Sequence, residues 1–320
     1  AYQVILVGIP LQFLFFIRNP YTVALYVHKA TAKASVPSFA RIIATAILAK
    51  AFVSFDLVGI KWAVICMTLP VAIETLLYWQ FAIPYIKKME PTKTRIASKW
   101  EMFFFNIPIS ISSMLIFLTS FIMAAYISRA PHPEQMLPVY VLALGLVNPV
   151  SFAATKIQPI VILFSDETKG RYILPQYAIV SGLVLGAIPL LTLFPLLANF
   201  YFVNIQNLPA EELPLVRETA LILFFVPVAV ALRAYSEGLA AYNKKTTIFL
   251  TGQAIYLGTA AVVGFFSLSL GLPGNMIGGL GLICANLASA ATMRLTLFWD
   301  KHKLPNDEPL KGASGPSELI

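Results

Sequence analysis

The chain is a succession of long apolar runs separated by short polar breaks, and no other feature limits its fold so sharply. A hydrocarbon core of roughly 30 Å takes about 20 mostly apolar residues per helix. On that scale nine spans are expected, over approximately 2–28 (broken at Arg18-Asn19-Pro20), 39–54, 58–86, 101–127, 137–164, 172–203, 214–242, 246–270 and 275–299. The runs lack the polar–apolar alternation of barrel strands, so they read as helices. Composition agrees: 58% of residues are hydrophobic and 12% charged, with a mean hydropathy of +0.77. A soluble domain carries about twice that charge and needs polar residues to cover its outside. Soluble enzymes and nucleic-acid binders are thereby excluded, and the expected fold class is an all-α polytopic membrane protein embedded in a lipid bilayer.

The formal charge of +8 and pI near 9.4 then need a place. With a cytoplasmic C-terminus, alternate loops collect Lys29, Lys33 and Arg41; Lys87, Lys88, Lys93, Arg95 and Lys99; Lys169 and Arg171; Lys244 and Lys245; and Lys301, Lys303 and Lys311. These are fifteen of the 23 basic residues, against Lys61, Arg129 and Arg217 on the opposite side, where Asp56, Glu134, Glu211, Glu212 and Glu218 gather. That asymmetry follows the positive-inside rule. It puts residue 1 outside and leaves Arg18, Lys50, Lys156, Arg233 and Arg294 within or at the edges of spans. The basic excess calls for no nucleic acid. Cys66 and Cys284 lie in apolar stretches and read as packing residues.

The start at Ala1, inside an apolar run and without a basic leader, suggests a piece of a longer polytopic protein. Residues 301–320 read as a flexible cytoplasmic tail. An internal repeat is also expected. Pro20-x-x-Val23-Ala24-Leu25 recurs as Pro227-x-x-Val230-Ala231-Leu232, displaced by 207, and Ile65-Cys66 recurs as Ile283-Cys284, displaced by 218. Spans 1–3 then correspond to spans 7–9 in the same orientation, as in transporters with parallel repeats. The domains expected are the second half of an N-terminal six-helix lobe (1–88), a basic linker (89–100), a C-terminal six-helix lobe (101–300) and the tail (301–320).

This organisation resembles the multidrug/oligosaccharidyl-lipid/polysaccharide (MOP) flippase superfamily, which includes the MATE exporters. Within it, the residues Phe225-x-Pro227-Val228, Arg233-Ala234, Gly238, Lys244-Lys245-Thr246, Val262-Val263, Gly279 and Thr292-Met293 are similar to the progressive ankylosis (ANK) family, with a weaker stretch at Tyr126-Ile127-Ser128-Arg129 and Asn148-Pro149. The resemblance implies nine helices of a MATE-like twelve-helix, two-lobe transporter, monomeric, in a plasma or bacterial inner membrane. It also implies export of a small anion such as pyrophosphate, ATP or citrate, by antiport or efflux, with H+ or Na+ as a possible coupling ion.

Charge at the bilayer centre costs at least about 2.5–3.5 kcal/mol per residue, so such groups face a partner or a cavity. Arg233 and Glu237 are four apart, on one face. They form either a self-neutralising pair that locks the bundle or a substrate or proton site. Arg18 precedes a proline that frees a helix carbonyl, a feature of helices lining transport cavities. Lys156 sits among Asn148, Pro149, Thr155, Gln158 and Pro159 and reads as cavity-lining. Glu74, the main lone acid, is either a proton-coupling carboxylate or the partner of an intramembrane cation. His28 reads as interfacial; Lys50 and Arg294 are placed to snorkel. Tyr26, Tyr235 and Tyr242 read as packing or interface residues. Gly274, Gly278, Gly279 and Gly281 with Ala288, Ala290 and Ala291 give the last span a small face for close packing.

No Walker loop, HExxH, CxxC or nucleophile elbow is present, so the expectation is a transporter without cofactor or metal and not an enzyme. Its substrate-binding residues would be Arg18, Lys156, Arg233, Glu237 and Glu74, working by alternating access. The alternatives are a lipid-linked oligosaccharide flippase, a MATE-type cation or drug antiporter and, outside transport, a membrane scaffold or membrane enzyme.

Overall fold

The computed structural model describes the backbone of residues 2–57, 59–89, 98–165 and 170–303, and their side chains except at 2–8, 12, 105, 170–172 and 300–303. These residues form helices and no strands: α1 (Tyr2–Val27), α2 (Thr31–Ser54), α3 (Ile60–Ile86), α4 (Lys99–Ile127), α5 (Pro133–Thr155), α6 (Ile157–Phe164), α7 (Gly170–Leu190), α8 (Pro195–Ala198), α9 (Leu213–Ile222), α10 (Phe225–Tyr242), α11 (Thr246–Ser269) and α12 (Gly274–Lys303). Taking α5–α6 and α9–α10 as continuous spans, eight stretches among the described residues are long and apolar enough to cross a membrane. The 26-residue α1, in the place of the first expected span, stands beside these eight. The molecule is an all-α polytopic membrane protein.

Its polarity is that of a lipid-bathed bundle. Large apolar side chains such as Phe13, Phe16, Phe39, Phe117, Phe121 and Phe265 point outward, while Glu74, Arg233, Glu237, Gln253, Asn286 and Ser289 are buried. In water that arrangement would be costly on both counts; in hydrocarbon it is the stable one.

Several boundaries differ from expectation. The second span begins at Thr31 rather than residue 39, so Lys33 and Arg41 are helical and not in a loop. The helix tolerates both because Lys33 reaches the Tyr85 hydroxyl at 3.0 Å and Arg41 reaches a carboxylate of α3. Helix α4 begins at Lys99 because Ser98 and Glu101 form a reciprocal capping box. The sixth span ends at Leu193, short of 203. Pro195 starts the separate α8, which continues as a π-helical turn over Asn199–Ile205. Helix α1 is not broken at Arg18-Asn19-Pro20 but runs through, with Pro20 inside it. Two other helices do break, each four residues before a proline: at Thr155-Lys156 before Pro159, and at Leu223 before Pro227. Proline lacks the N–H for the carbonyl at i−4 and its ring crowds that carbonyl. At the second break the N–H of Val226 takes over the Leu223 carbonyl at 3.0 Å.

The chain divides into two compact units, Ala1–Arg95 and Ile96–Ile320. The division falls within the segment 89–100 expected to be a linker, of which residues 90–97 lie outside the described residues, as does 304–320 of the expected tail. In the first unit α3 packs against both α1 and α2, which touch each other little. In the second, α12 has the same relation to α10 and α11. Around these three, α4 packs on α11, and α5, α6 and α7 pack on α10. Close approach relies on missing side chains. A Cβ on Gly238 would come 2.7 Å from Val161 Cβ and 2.9 Å from the Gln158 carbonyl, and one on Gly278 would collide with the Tyr140 ring. The small face expected on the last span is thus a packing surface.

The repeat exists in a different register. At a constant displacement of 215 the features of α1–α3 recur in α10–α12. Lys29 (φ 54°) matches Lys244 (φ 56°), and Asp56 (φ 55°) matches Gly271 (φ 70°). The turn bonds Lys29 N–H to Tyr26 O and Ala30 N–H to Leu25 O recur as Lys244 to Ala241 and Lys245 to Ala240. Helices α2 and α11 both have 24 residues. The buried set Val71, Glu74, Thr75 and Tyr78 of α3 becomes Asn286, Ser289, Ala290 and Met293 of α12. The displacements 207 and 218 read from short motifs are therefore out of register. A six-residue apolar pattern recurs by composition alone, whereas left-handed turn residues and burial are fixed by geometry.

Candidate functional site

Among the described residues, each unit holds one ionic cluster built on a buried glutamate. In the first, Glu74 on α3 is 1% exposed and accepts from three side chains. Arg18 of α1 donates from Nη1 to Oε2 at 2.6 Å, Arg41 of α2 from Nη1 to the same oxygen at 3.2 Å, and Ser38 of α2 from Oγ to Oε1 at 2.9 Å. The Tyr78 hydroxyl donates to the Ala34 carbonyl at 2.7 Å and lies 3.2 Å from Ser38 Oγ. Each hydroxyl has one proton and both are already committed, so this last contact is an approach, not a further bond. Arg18 also stacks over the Phe15 ring at 4.8 Å. Glu74 is therefore not a lone acid: it is the centre of a cluster that ties the three helices together. The cluster holds two guanidinium groups and one carboxylate, leaving one positive charge in excess.

In the second unit, Arg233 and Glu237 do pair along α10, Nη1 to Oε1 at 3.3 Å. Both are buried. Gln253 of α11 bridges them, its Oε1 accepting from Arg233 Nη1 at 3.5 Å and its Nε2 donating to Glu237 Oε1 at 2.8 Å. The charges on either side dictate this amide orientation. The Arg233 guanidinium lies over the Tyr256 ring at 5.5 Å, and Arg294 of α12 lies over Tyr235 at 4.8 Å. Arg294 is exposed, so the buried charges of this cluster are one arginine and one glutamate.

The corrected register relates the clusters residue by residue. Arg18 corresponds to Arg233, Ser38 to Gln253, Arg41 to Tyr256, Thr22 to Glu237 and Glu74 to Ser289. The arginine keeps its place while the carboxylate moves from the third helix of the repeated trio to the first. Arg41, Ser38, Gln253 and Tyr256 were not singled out by sequence. The signal for the last two was available as Gln253-x-x-Tyr256, two polar residues on one face of an otherwise apolar helix.

Lys156 has a different setting. It is exposed at the α5–α6 break and lines an open, mostly apolar groove of about 400 Å³ with Ile157, Ile160, Tyr177, Val180 and Val184. Arg233 instead lies among α10 and α11 side chains. Among the described residues no group of three or more His, Cys, Asp or Glu stands in metal-binding proximity. Cys66 and Cys284 are free thiols, half-buried in their helices.

No protein-family model matches the chain, and neither a curated protein nor a solved structure matches it.

Proposed function

We propose that the protein is a secondary membrane transporter that moves a small anion, of the pyrophosphate, ATP or citrate kind, by alternating access. The observation that carries this reading is the convergence of Arg18 and Arg41 on the single carboxylate of Glu74, inside helices bathed in lipid. A structural ion pair needs only one cation per carboxylate. A second guanidinium, only 34% exposed, is partly desolvated without a carboxylate of its own, and that cost is offset when a passing anion completes the neutralisation. A cation antiporter would want available carboxylates, and among the described residues both buried glutamates are held by arginines. The residue likenesses to the ANK family of the MOP flippases point the same way, with α1 as the ninth span and H+ or Na+ as coupling ion.

The groove beside Lys156 favours one second reading, transport of a lipid-linked diphosphate whose acyl chains would stay in the membrane along Ile157, Ile160 and Val184. Efflux of labelled pyrophosphate, ATP and citrate from cells making the protein tests the first reading, with Arg41→Met and Arg233→Ala as comparisons. Equal efflux by wild type and both variants would sink it for that substrate set. Scrambling of a lipid-linked diphosphate with no anion efflux would favour the second.

A further inference from the structure

In the first unit the carboxylate that meets the arginine comes from α3; in the second it comes from the arginine's own helix. The α12 counterpart of Glu74 is Ser289, so the place filled by a carboxylate in α1–α3 has only a small hydroxyl beside it in α10–α12. The polar atoms around that place are left over. Ser289 Oγ, Asn286 Oδ1 and Arg233 Nε are all buried without a hydrogen-bond partner among the described residues. The three residues are 0%, 2% and 6% exposed.

Helix register and side-chain contacts gather them around Tyr256. Gly252 of α11 abuts Met293 of α12, and these helices are antiparallel neighbours, so Tyr256, which lies beneath Arg233, falls opposite Ser289. The Asn286 side chain hydrogen-bonds the Tyr256 hydroxyl, which sets it beside the ring that the Arg233 guanidinium covers. Asn286 lies one turn from Ser289 on the same face. Buried polar groups are paired in over nine cases of ten, and each orphan costs about 1–3 kcal/mol. Three orphans gathered around Tyr256 describe a place made for a ligand.

We infer that α10–α12 enclose a binding site for an oxyanion that also carries a hydroxyl, a hydrogenphosphate-like or hydroxycarboxylate group, standing where the Glu74 carboxylate stands in α1–α3. Arg233 Nε–H and the Ser289 hydroxyl donate to its oxygens, and Asn286 Oδ1 accepts from its O–H. The single acceptor gives selectivity: a fully deprotonated oxyanion such as sulfate would turn a lone pair toward Asn286. The inference rests on the anion-transport reading and locates a second recognition site for it.

The test is calorimetric titration of the whole chain in lipid nanodiscs with inorganic phosphate, and with sulfate as the control. Phosphate is expected to bind, with sulfate at least about tenfold weaker, because it lacks the O–H that Asn286 Oδ1 accepts from and leaves that buried oxygen unpaired. Ser289→Glu, which supplies the missing carboxylate from within, should abolish phosphate binding, and so should the near-isosteric Asn286→Asp. The double variant Ser289→Glu/Glu237→Thr copies the first unit's arrangement and should fold with the wild-type melting temperature while not binding phosphate. Unchanged phosphate affinity in Ser289→Glu or Asn286→Asp overturns the inference. So does loss of binding only in Arg41→Met, which would put the phosphate in the first unit. Absence of phosphate binding to the wild type also overturns it, the three polar atoms then being served by water. None of these results touches anion efflux measured in cells, so the transport reading fails or stands separately.

Discussion

Replacing Arg41 by methionine separates the two roles that the Glu74 cluster can have. The substitution leaves Arg18 in its 2.6 Å contact and Ser38 in its 2.9 Å contact with the carboxylate, so Glu74 stays neutralised and hydrogen-bonded. What is lost is one 3.2 Å contact from a side chain that is 34% exposed. A hydrogen bond to a charged group contributes about 1.5–3 kcal/mol when buried, while exposed pairs contribute about 0–1 kcal/mol. Discounted for exposure, and with methionine keeping the apolar stem packed, the expected loss of stability is about 1 kcal/mol. Glu74→Gln is the opposite perturbation. It keeps the shape but leaves two guanidinium groups without a counter-charge, and breaking a buried pair from one side costs about 3–5 kcal/mol. Thermal unfolding in detergent should therefore rank Glu74→Gln well below Arg41→Met, with Arg41→Met close to wild type. Transport should not follow stability. Arg41→Met removes the excess positive charge, and uptake of labelled anion into proteoliposomes should fall at least about tenfold, the equivalent of one interaction of roughly 1.4 kcal/mol. Wild-type uptake by a well-folded Arg41→Met protein would refute the excess-charge argument. A large stability loss in Arg41→Met would show instead that both arginines are needed to hold the three helices.

Gln253→Leu should destabilise the second unit by about 1–3 kcal/mol, because Glu237 loses its amide donor and Arg233 its bridge within a buried pair; unfolding in detergent reads this directly. Gly278→Val forces a branched side chain into the Tyr140 ring and should cost at least about 1–3 kcal/mol from overpacking. Gly258→Ala in α11, where an added Cβ meets nothing within 4 Å, should be neutral or stabilising by up to about 1 kcal/mol. Pro159→Ala returns a hydrogen-bond donor to the carbonyl of Thr155 and should let α5 and α6 fuse into one helix. Spin labels at Phe152 and Leu163 would then report a narrower distance distribution, and an unchanged distribution would mean that packing rather than proline sets the break.

The helical, membrane-spanning nature of the chain was written in its apolar runs, because hydrocarbon admits few other backbones. The Arg233–Glu237 pair was equally legible, since i,i+4 spacing on a helix is a local rule. The Glu74 cluster was not. Its partners lie 56, 36 and 33 residues away in sequence, and only the packing of α3 between α1 and α2 brings them together. Arg41 looked like part of a cytoplasmic loop because a charge marks a span boundary unless a buried partner pulls it into the helix. The repeat was visible but misregistered, since apolar helices draw on so few residue types that short matches arise by chance.

Sequence alone determined that this protein crosses a membrane many times and that its few intramembrane charges need partners, because the cost of leaving backbone or charge unpaired in lipid is independent of how the helices pack. Tertiary structure alone decided which charges meet. That choice rests on side chains from three helices sharing one layer, and on backbone turns at Lys29 and Lys244 that fix the register in which Arg18 answers to Arg233 and Glu74 to Ser289.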